Sequence, residues 1–392
     1  MILFKKRYTY TVIISAILLL LMQRPYFAWG IANNMITYAV LGFILAFIFA
    51  KNKEIRDSKK GRFSIFYCLL LSFYILLRIN HGATLLGALF YATNYLFVTF
   101  INIKKEYIVK VFDAYLSIYS ILMGLSLLSW IGVLLGITPA LGTIPHYIED
   151  WNYQVYPLCV QLYGFEGIRF CGIFDEPGVV GNVAIILLCI SGFNFKDWRI
   201  EIVALTGVFS LSLYFYIVVG IFAIWNYAVI RKRIGGALII CVSIFIAYLA
   251  TKDVPVFYET LWSRLEWDST KGTITGNDRM TEDAELYYEK IKGTTEYYFG
   301  VNNQKYYTEI SKGGSSYKNV IATVGAVFMF LYVTFFLYIS KKSSDIKTFF
   351  LYSLLIITMF YQRISLFNPF WLLVLITYAK YGHFLQNTKQ DY

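Results

Sequence analysis

The stretch RFCGIFDEPG, Arg169 to Gly178, places a guanidinium, two adjacent carboxylates and a Pro-Gly pair within ten residues. It closes a polar segment of about 41 residues, Gly136–Glu176, in which Arg169 is the only lysine or arginine, and it leads into a long apolar run. A planar guanidinium suits a phosphate or diphosphate, held through two parallel N–H donors. It also suits an ion pair with Glu166, Asp175 or Glu176. The sequence Asp175-Glu176-Pro177-Gly178 has the form of a helix start. Proline fits the first turn, and an acidic residue before it caps free amides and complements the helix dipole. One cap is sufficient, so Asp175 is assigned to it. Glu176 is then a candidate general base, or an acceptor for a substrate hydroxyl.

A second polar segment carries TGNDRMTEDAELYYEKIKGTTEYYFG, Thr275 to Gly300. Met280, Ala284, Tyr287 or Tyr288, and Ile291 recur at helical spacing, which predicts an amphipathic helix with Asp278 as its N-cap. Arg279 lies at the N-terminal end of that helix. Cations are disfavoured there unless an anion is bound, and a diphosphate would supply one. Pairing with Glu282 or Asp283 at i+3 and i+4 is the local alternative. Arg264, in WSRLEW, is a third candidate on the same side, with Glu266 and Asp268 as the favoured partners. Tyr147, Trp151, Tyr153, Tyr156, Tyr163, Trp262, Trp267, Tyr297 and Tyr298 crowd the two segments. Singly they read as interfacial aromatics, and together as stacking platforms for sugar rings.

The elements that position these residues are apolar. Of 392 residues, 58% are hydrophobic and 15% charged, and the mean hydropathy is +0.57, which indicates an all-α polytopic membrane protein. The net charge of +11 lies in short connections between apolar runs, which speaks for membrane orientation rather than nucleic acid. About twelve spans are predicted. They lie near Tyr8–Gln23, Ile31–Ala50, Phe63–Leu77, Thr84–Ile103, Val111–Leu135 and Pro177–Phe193, then Ile200–Ser212, Leu213–Ile230, Ile234–Ala250, Asn319–Ser340, Thr348–Tyr361 and Pro369–Tyr381. Lys51–Arg62, Lys104–Lys110, Lys196–Arg199, Arg231–Arg233 and Lys341–Lys347 are basic, as are Lys5, Lys6 and Arg7. The positive-inside rule puts all of them in the cytoplasm, which requires Ile200–Ile230 to cross twice. Both termini are then inside, and residues 136–176 and 252–317 form two large outward loops. Arg24, Arg78 and Arg363 read as snorkelling residues at outer span ends.

The N-terminal run has no small-residue cleavage site after it and continues into a second span, so it reads as a span rather than a leader. Cys68, Cys189 and Cys241 fall within spans. Cys159 and Cys171 share the first outer loop, where a disulfide is possible in an oxidising space. The three histidines, His81, His146 and His383, form no zinc pattern with the cysteines. P-loop, dinucleotide and nucleophile-elbow motifs are absent, so no cofactor is expected and an enzyme of this kind would take an already activated substrate.

Three motifs in this layout resemble the Wzy-type O-antigen and polysaccharide polymerases, relatives of the O-antigen ligases. They are RFCGIFDEPG at Arg169–Gly178, GNDR at Gly276–Arg279 with the later Tyr298–Gly300, and GGSSYKNVIATVGAVF at Gly313–Phe328. The resemblance covers most of the chain in architecture and about forty residues in motif. It implies an inner-membrane glycosyltransferase that joins undecaprenyl-diphosphate-linked repeat units on the periplasmic face. It implies no metal, and a separate chain-length regulator as partner. By position, Arg169 and Arg279 would hold the diphosphates and stabilise the leaving group. Glu176 would orient or deprotonate the acceptor hydroxyl, and Asp175, Arg264 and Tyr317 would line the substrate site. The related ligases carry a histidine where this chain has Ser315-Ser316-Tyr317-Lys318, which favours polymerase over ligase. Tyr317 is also a natural interfacial anchor. A lipid-linked oligosaccharide flippase or transporter would place ionisable groups in mid-span, where this chain has few, and a non-enzymatic scaffold remains the blandest alternative.

Overall fold

The computed structural model describes residues 2–29, 35–51, 69–70, 102–146, 151–162, 168–225, 228, 234–269, 273–275, 280–301, 306, 310, 317–343, 346–362 and 369–385. The chain is mostly helical, as its apolar runs require. It divides into two compact units. One comprises Met1–Gln23, Ile31–Tyr115 and Arg279–Tyr392, and the other Arg24–Gly30 and Leu116–Asp278.

In the first unit, the Ala326–Ser343 helix packs on Pro369–Tyr381 and on Ile346–Gln362, while Ile2–Leu21 packs on Met35–Lys51. The expected amphipathic helix runs from Glu282 to Ile291 and buries Ala284, Tyr287, Tyr288 and Ile291, the face that its spacing predicts. Ala284, Tyr287 and Ile291 join Val301, Tyr306, Ile310 and Ala322 in one apolar cluster, with Met280 against it. The N-cap position belongs to Thr281 rather than Asp278, and its side chain makes no capping bond.

The span expected from Asn319 to Ser340 is not straight. Tyr317–Val324 and Ala326–Lys341 meet at 118°. Gly325, at φ +97°, forms the corner, and Gly300, at φ +79°, lies against it. A Cβ on Gly325 would come within 2.4 Å of the Tyr298 carbonyl oxygen, and one on Gly300 within 2.5 Å of that of Thr323. Only glycines permit two backbones to approach this closely. The Val301 amide donates to Ala322 O at 2.8 Å and fastens the crossing.

In the second unit, Pro177–Ile190 packs against Trp198–Phe209 and Leu213–Trp225, and Ile234–Thr251 packs on the latter. The Ile200–Ile230 run is broken into two helices of 12 and 13 residues. Leu211, at φ +47°, turns the chain between them. Gly181 makes room for this turn, since a Cβ there would meet the Ser212 side chain at 2.5 Å.

The first polar segment adds a small sheet to the mostly helical chain. Gly142–Pro145 (β1), Asn152–Tyr156 (β2) and Cys159–Leu162 (β3) form an antiparallel sheet in the order β1-β2-β3. Thr143 pairs with Gln154 and Val155 with Val160. Apolar residues alternate toward one face, where Tyr153 and Val160 pack with Trp29.

The helical class is met, whereas twelve membrane spans are not shown among the described residues. Among the described residues, Lys105–Leu134 and Ile234–Thr251 are long and apolar enough to cross a membrane, and the bent pair at Gly325 makes a third if counted as one span. Other apolar helices, including Pro177–Ile190 and Leu213–Trp225, have 10–17 residues. Fourteen residues rise about 21 Å, less than the roughly 30 Å of a hydrocarbon core. Nearly all of the expected Phe63–Leu77 and Thr84–Ile103 spans lies outside the described residues.

Candidate functional site

Arg169–Glu176 is held between the sheet and the turn that separates the two short helices. The Phe170 amide donates to Phe209 O at 2.9 Å, and the Val160 amide donates to Gly172 O at 3.0 Å. Phe170, Ile173 and Phe174 are fully buried, and Trp130 packs edge-on against Phe170. The apolar residues of RFCGIFDEPG thus anchor the segment.

The Arg169 guanidinium donates from Nε to Ser210 O at 3.3 Å and from Nη2 to Leu211 O at 3.4 Å. These carbonyls end the Trp198–Phe209 helix, where the dipole is negative and acceptors lack helical donors. Neither sequence alternative, an ion pair or an anion, describes these two bonds. Arginine serves here as a C-terminal cap across 41 and 42 residues of sequence.

Asp175 is not the helix cap. Glu176 occupies that position, with extended backbone at φ −133° and ψ 142° and no capping bond from its side chain. Asp175 Oδ2 instead lies 3.4 Å from His146 Nε2, and the side chains are 17% and 7% exposed. In sequence His146 belongs to no zinc pattern and carries no other assignment. Its 29-residue separation from Asp175 gave no signal, because no local spacing rule joins a strand end to a helix start.

The imidazole sits among aromatic rings. Trp29 meets it edge-on at 5.4 Å, with Tyr153 at 5.6 Å and Trp151 at 6.4 Å. Trp29 reaches this place because Tyr26 N donates to Ile173 O at 2.8 Å, and Trp29 Nε1 donates to Arg24 O at 3.0 Å. A histidine oriented by a carboxylate can exchange a proton with a neighbouring hydroxyl, and of the three rings Trp151 is exposed at 51% while Trp29 and Tyr153 are buried.

Cys159 and Cys171 are free buried thiols, so the possible disulfide is not formed. Burial pushes the Cys159 thiol up to about 12. Cys171 is also raised, mainly by burial and then by Cys159, with Arg169 opposing and Asp175 adding to the shift. Cys171 therefore feels both charged groups of the segment.

The remaining candidates lie elsewhere. Arg264 occupies a short turn, Ser263–Leu265, and among the described residues it pairs with neither Glu266 nor Asp268. Glu266 accepts instead from Tyr258 Oη at 2.8 Å. Arg279 lies outside the described residues. Tyr317, in the other unit, starts the Tyr317–Val324 helix. Beside it Lys318 pairs with Glu285 and lies 5.1 Å from the centre of the Tyr288 ring. Burial raises the Tyr288 hydroxyl, followed by its bond to Tyr297 and the nearby Tyr317.

No protein-family model, curated protein or solved structure matches this chain.

Proposed function

We propose that this chain is a polytopic inner-membrane glycosyltransferase that polymerises undecaprenyl-diphosphate-linked repeat units on the periplasmic face. The product is an O-antigen or related surface polysaccharide. In this reading the chain crosses the membrane about twelve times with both termini in the cytoplasm. The observation that carries it is Arg169: the only lysine or arginine of its segment is pinned by two carbonyls at a helix end, and the same segment carries Asp175, paired with His146.

The chemistry follows from those groups. The terminal hydroxyl of the incoming unit attacks the anomeric carbon of the growing chain. The new glycosidic bond forms as the bond to undecaprenyl diphosphate breaks. Negative charge develops on the departing diphosphate, and a guanidinium fixed in advance stabilises it without reorganising. Arg169 fills that role on one diphosphate and Arg279 on the other. Glu176 accepts the proton of the attacking hydroxyl. Asp175, Arg264 and Tyr317 contact the glycan, and a separate regulator sets chain length. The energy of the donor bond supplies the driving force, which agrees with a sequence lacking nucleotide motifs.

Surface glycan from a strain lacking the gene tests this directly. Glycolipid with a single repeat unit and no ladder, restored by the gene, is the expected result. Loss of every repeat unit from the acceptor lipid, with polymer still on the carrier, would mean ligase. Loss of both would mean a flippase or an earlier step. An unchanged ladder would reject all three.

A further inference from the structure

The Ile234–Thr251 helix is of membrane length, and its apolar side chains are exposed from end to end, with Leu238 at 60% and Ile239 at 67%. After Thr251 the chain folds back. Residues Tyr258–Trp262 form a widened helical turn with π geometry, a form frequent at functional sites. Trp262 Nε1 donates to Thr251 Oγ1 at 2.9 Å, and its ring meets Tyr248 edge-on at 5.1 Å. Between the helix and this returning segment lies a cleft of about 540 Å³.

The two ends of the cleft differ in chemistry. Cys241, Ile244, Phe245 and Tyr248 line its wall along the helix. Their spacing of i, i+3, i+4 and i+7 puts them on one face, and Lys252 continues it. At the polar end stand Lys252, Asp253 and Glu266, with Tyr258 bonded to Glu266. The wall accepts a hydrocarbon chain that enters from the side of the helix. The rim offers one cation and two carboxylates, so its net charge is −1.

We infer that this cleft is a binding site for a phospholipid with a primary-ammonium headgroup, of the phosphatidylethanolamine type. Lys252 takes the phosphate. Asp253 and Glu266 accept N–H bonds from the ammonium, with Trp262 beside them. Charge complementarity selects this headgroup. An anionic headgroup meets a rim that is already negative, and a choline headgroup has no N–H to give the carboxylates. This site rests on the reading of Ile234–Thr251 as membrane-embedded, and not on glycan chemistry.

Native mass spectrometry of the full chain, released from mixed micelles containing palmitoyl-oleoyl phosphatidylethanolamine, phosphatidylcholine and phosphatidylglycerol in equal amounts, tests it. One retained phosphatidylethanolamine is expected, favoured about tenfold over the other two. Lys252→Ala and Phe245→Ala should each lower its retention, while the double variant Asp253→Asn/Glu266→Gln should shift preference toward phosphatidylglycerol. Circular dichroism confirms that each variant is folded. Equal retention of the three lipids, preference unchanged by the rim variants, or no retained lipid overturns the inference. So does displacement of the phospholipid by undecaprenyl phosphate, which would make the cleft part of the polymerase site. The assay contains no glycan, so a failed glycan-ladder test leaves its result standing.

Discussion

At the scale of the residue, the role proposed for Arg169 depends on how its side chain is held. A guanidinium carries five donors in a rigid fork, and two of them meet the carbonyls of Ser210 and Leu211. These bonds fix its plane. Lysine has a single rotating ammonium and cannot hold the same geometry. Arg169→Lys is therefore expected to lose the glycan ladder as completely as Arg169→Ala, with normal protein level in the membrane. A full ladder from Arg169→Lys would reduce the residue to a point charge, and one from both variants would remove it from the mechanism. Cys159 supplies a pH test. Its thiol is raised from 9.0 to about 12 by burial. Below pH 9 both folded and unfolded chains keep the proton. Between 9 and 12 only the unfolded chain releases it, so this contribution to stability is full below pH 9 and is lost as pH rises toward 12. Unfolding in detergent from pH 8 to 10.5 should show that decline, less steeply in Cys159→Ala. Maleimide should label Cys159 slowly in the native protein at pH 7.5. Rapid labelling would show that the thiol is not buried.

Elements are where glycines decide the path of the chain. Gly325 and Gly300 combine left-handed backbone with a Cβ clash against backbone atoms, whereas Gly136, at φ +70°, has nothing within 4 Å of a Cβ. Alanine at Gly136 should cost about 1 kcal/mol, the strain alone. Alanine at Gly325 or Gly300 adds overpacking and should cost roughly 2–4 kcal/mol in thermal or denaturant unfolding. Equal effects at all three positions would mean that the crossing is looser than it looks. The amphipathic Glu282–Ile291 helix was legible from spacing because a 3.6-residue period is carried by neighbouring residues. The corner at Gly325 was not, since the surrounding run is apolar on both sides and hydropathy does not register direction. The sheet of the first polar segment was missed for a related reason: its strands have four or five residues, too few for alternation to stand out.

For the whole molecule, the proposed twelve-span arrangement is tested at two basic connections. The basic connections Lys196–Arg199 and Arg231–Arg233 flank two short helices rather than one long one. Single cysteines replacing Lys196 and Lys232, in a background freed of native cysteines, report their sides. Both should react with an impermeant maleimide only after the membrane is opened. Reaction of one from outside would mean that the two short helices make a single crossing between them, and the twelve-span arrangement would fall. Helix length alone does not decide this, because a helix of 12 residues rises about 18 Å and reaches only part-way across the hydrocarbon.

The sequence by itself determined the helical class, the helix start at Pro177, the buried face of Glu282–Ile291 and the two polar segments that carry the candidate residues. All of these follow from composition or from periods shorter than a few turns. The tertiary structure alone decided the partners. His146 finds Asp175 and Arg169 finds two carbonyls across 29 to 42 residues. A carbonyl acceptor has no side-chain signature, and a pairing of that range is fixed only when sheet, turn and helix pack against one another.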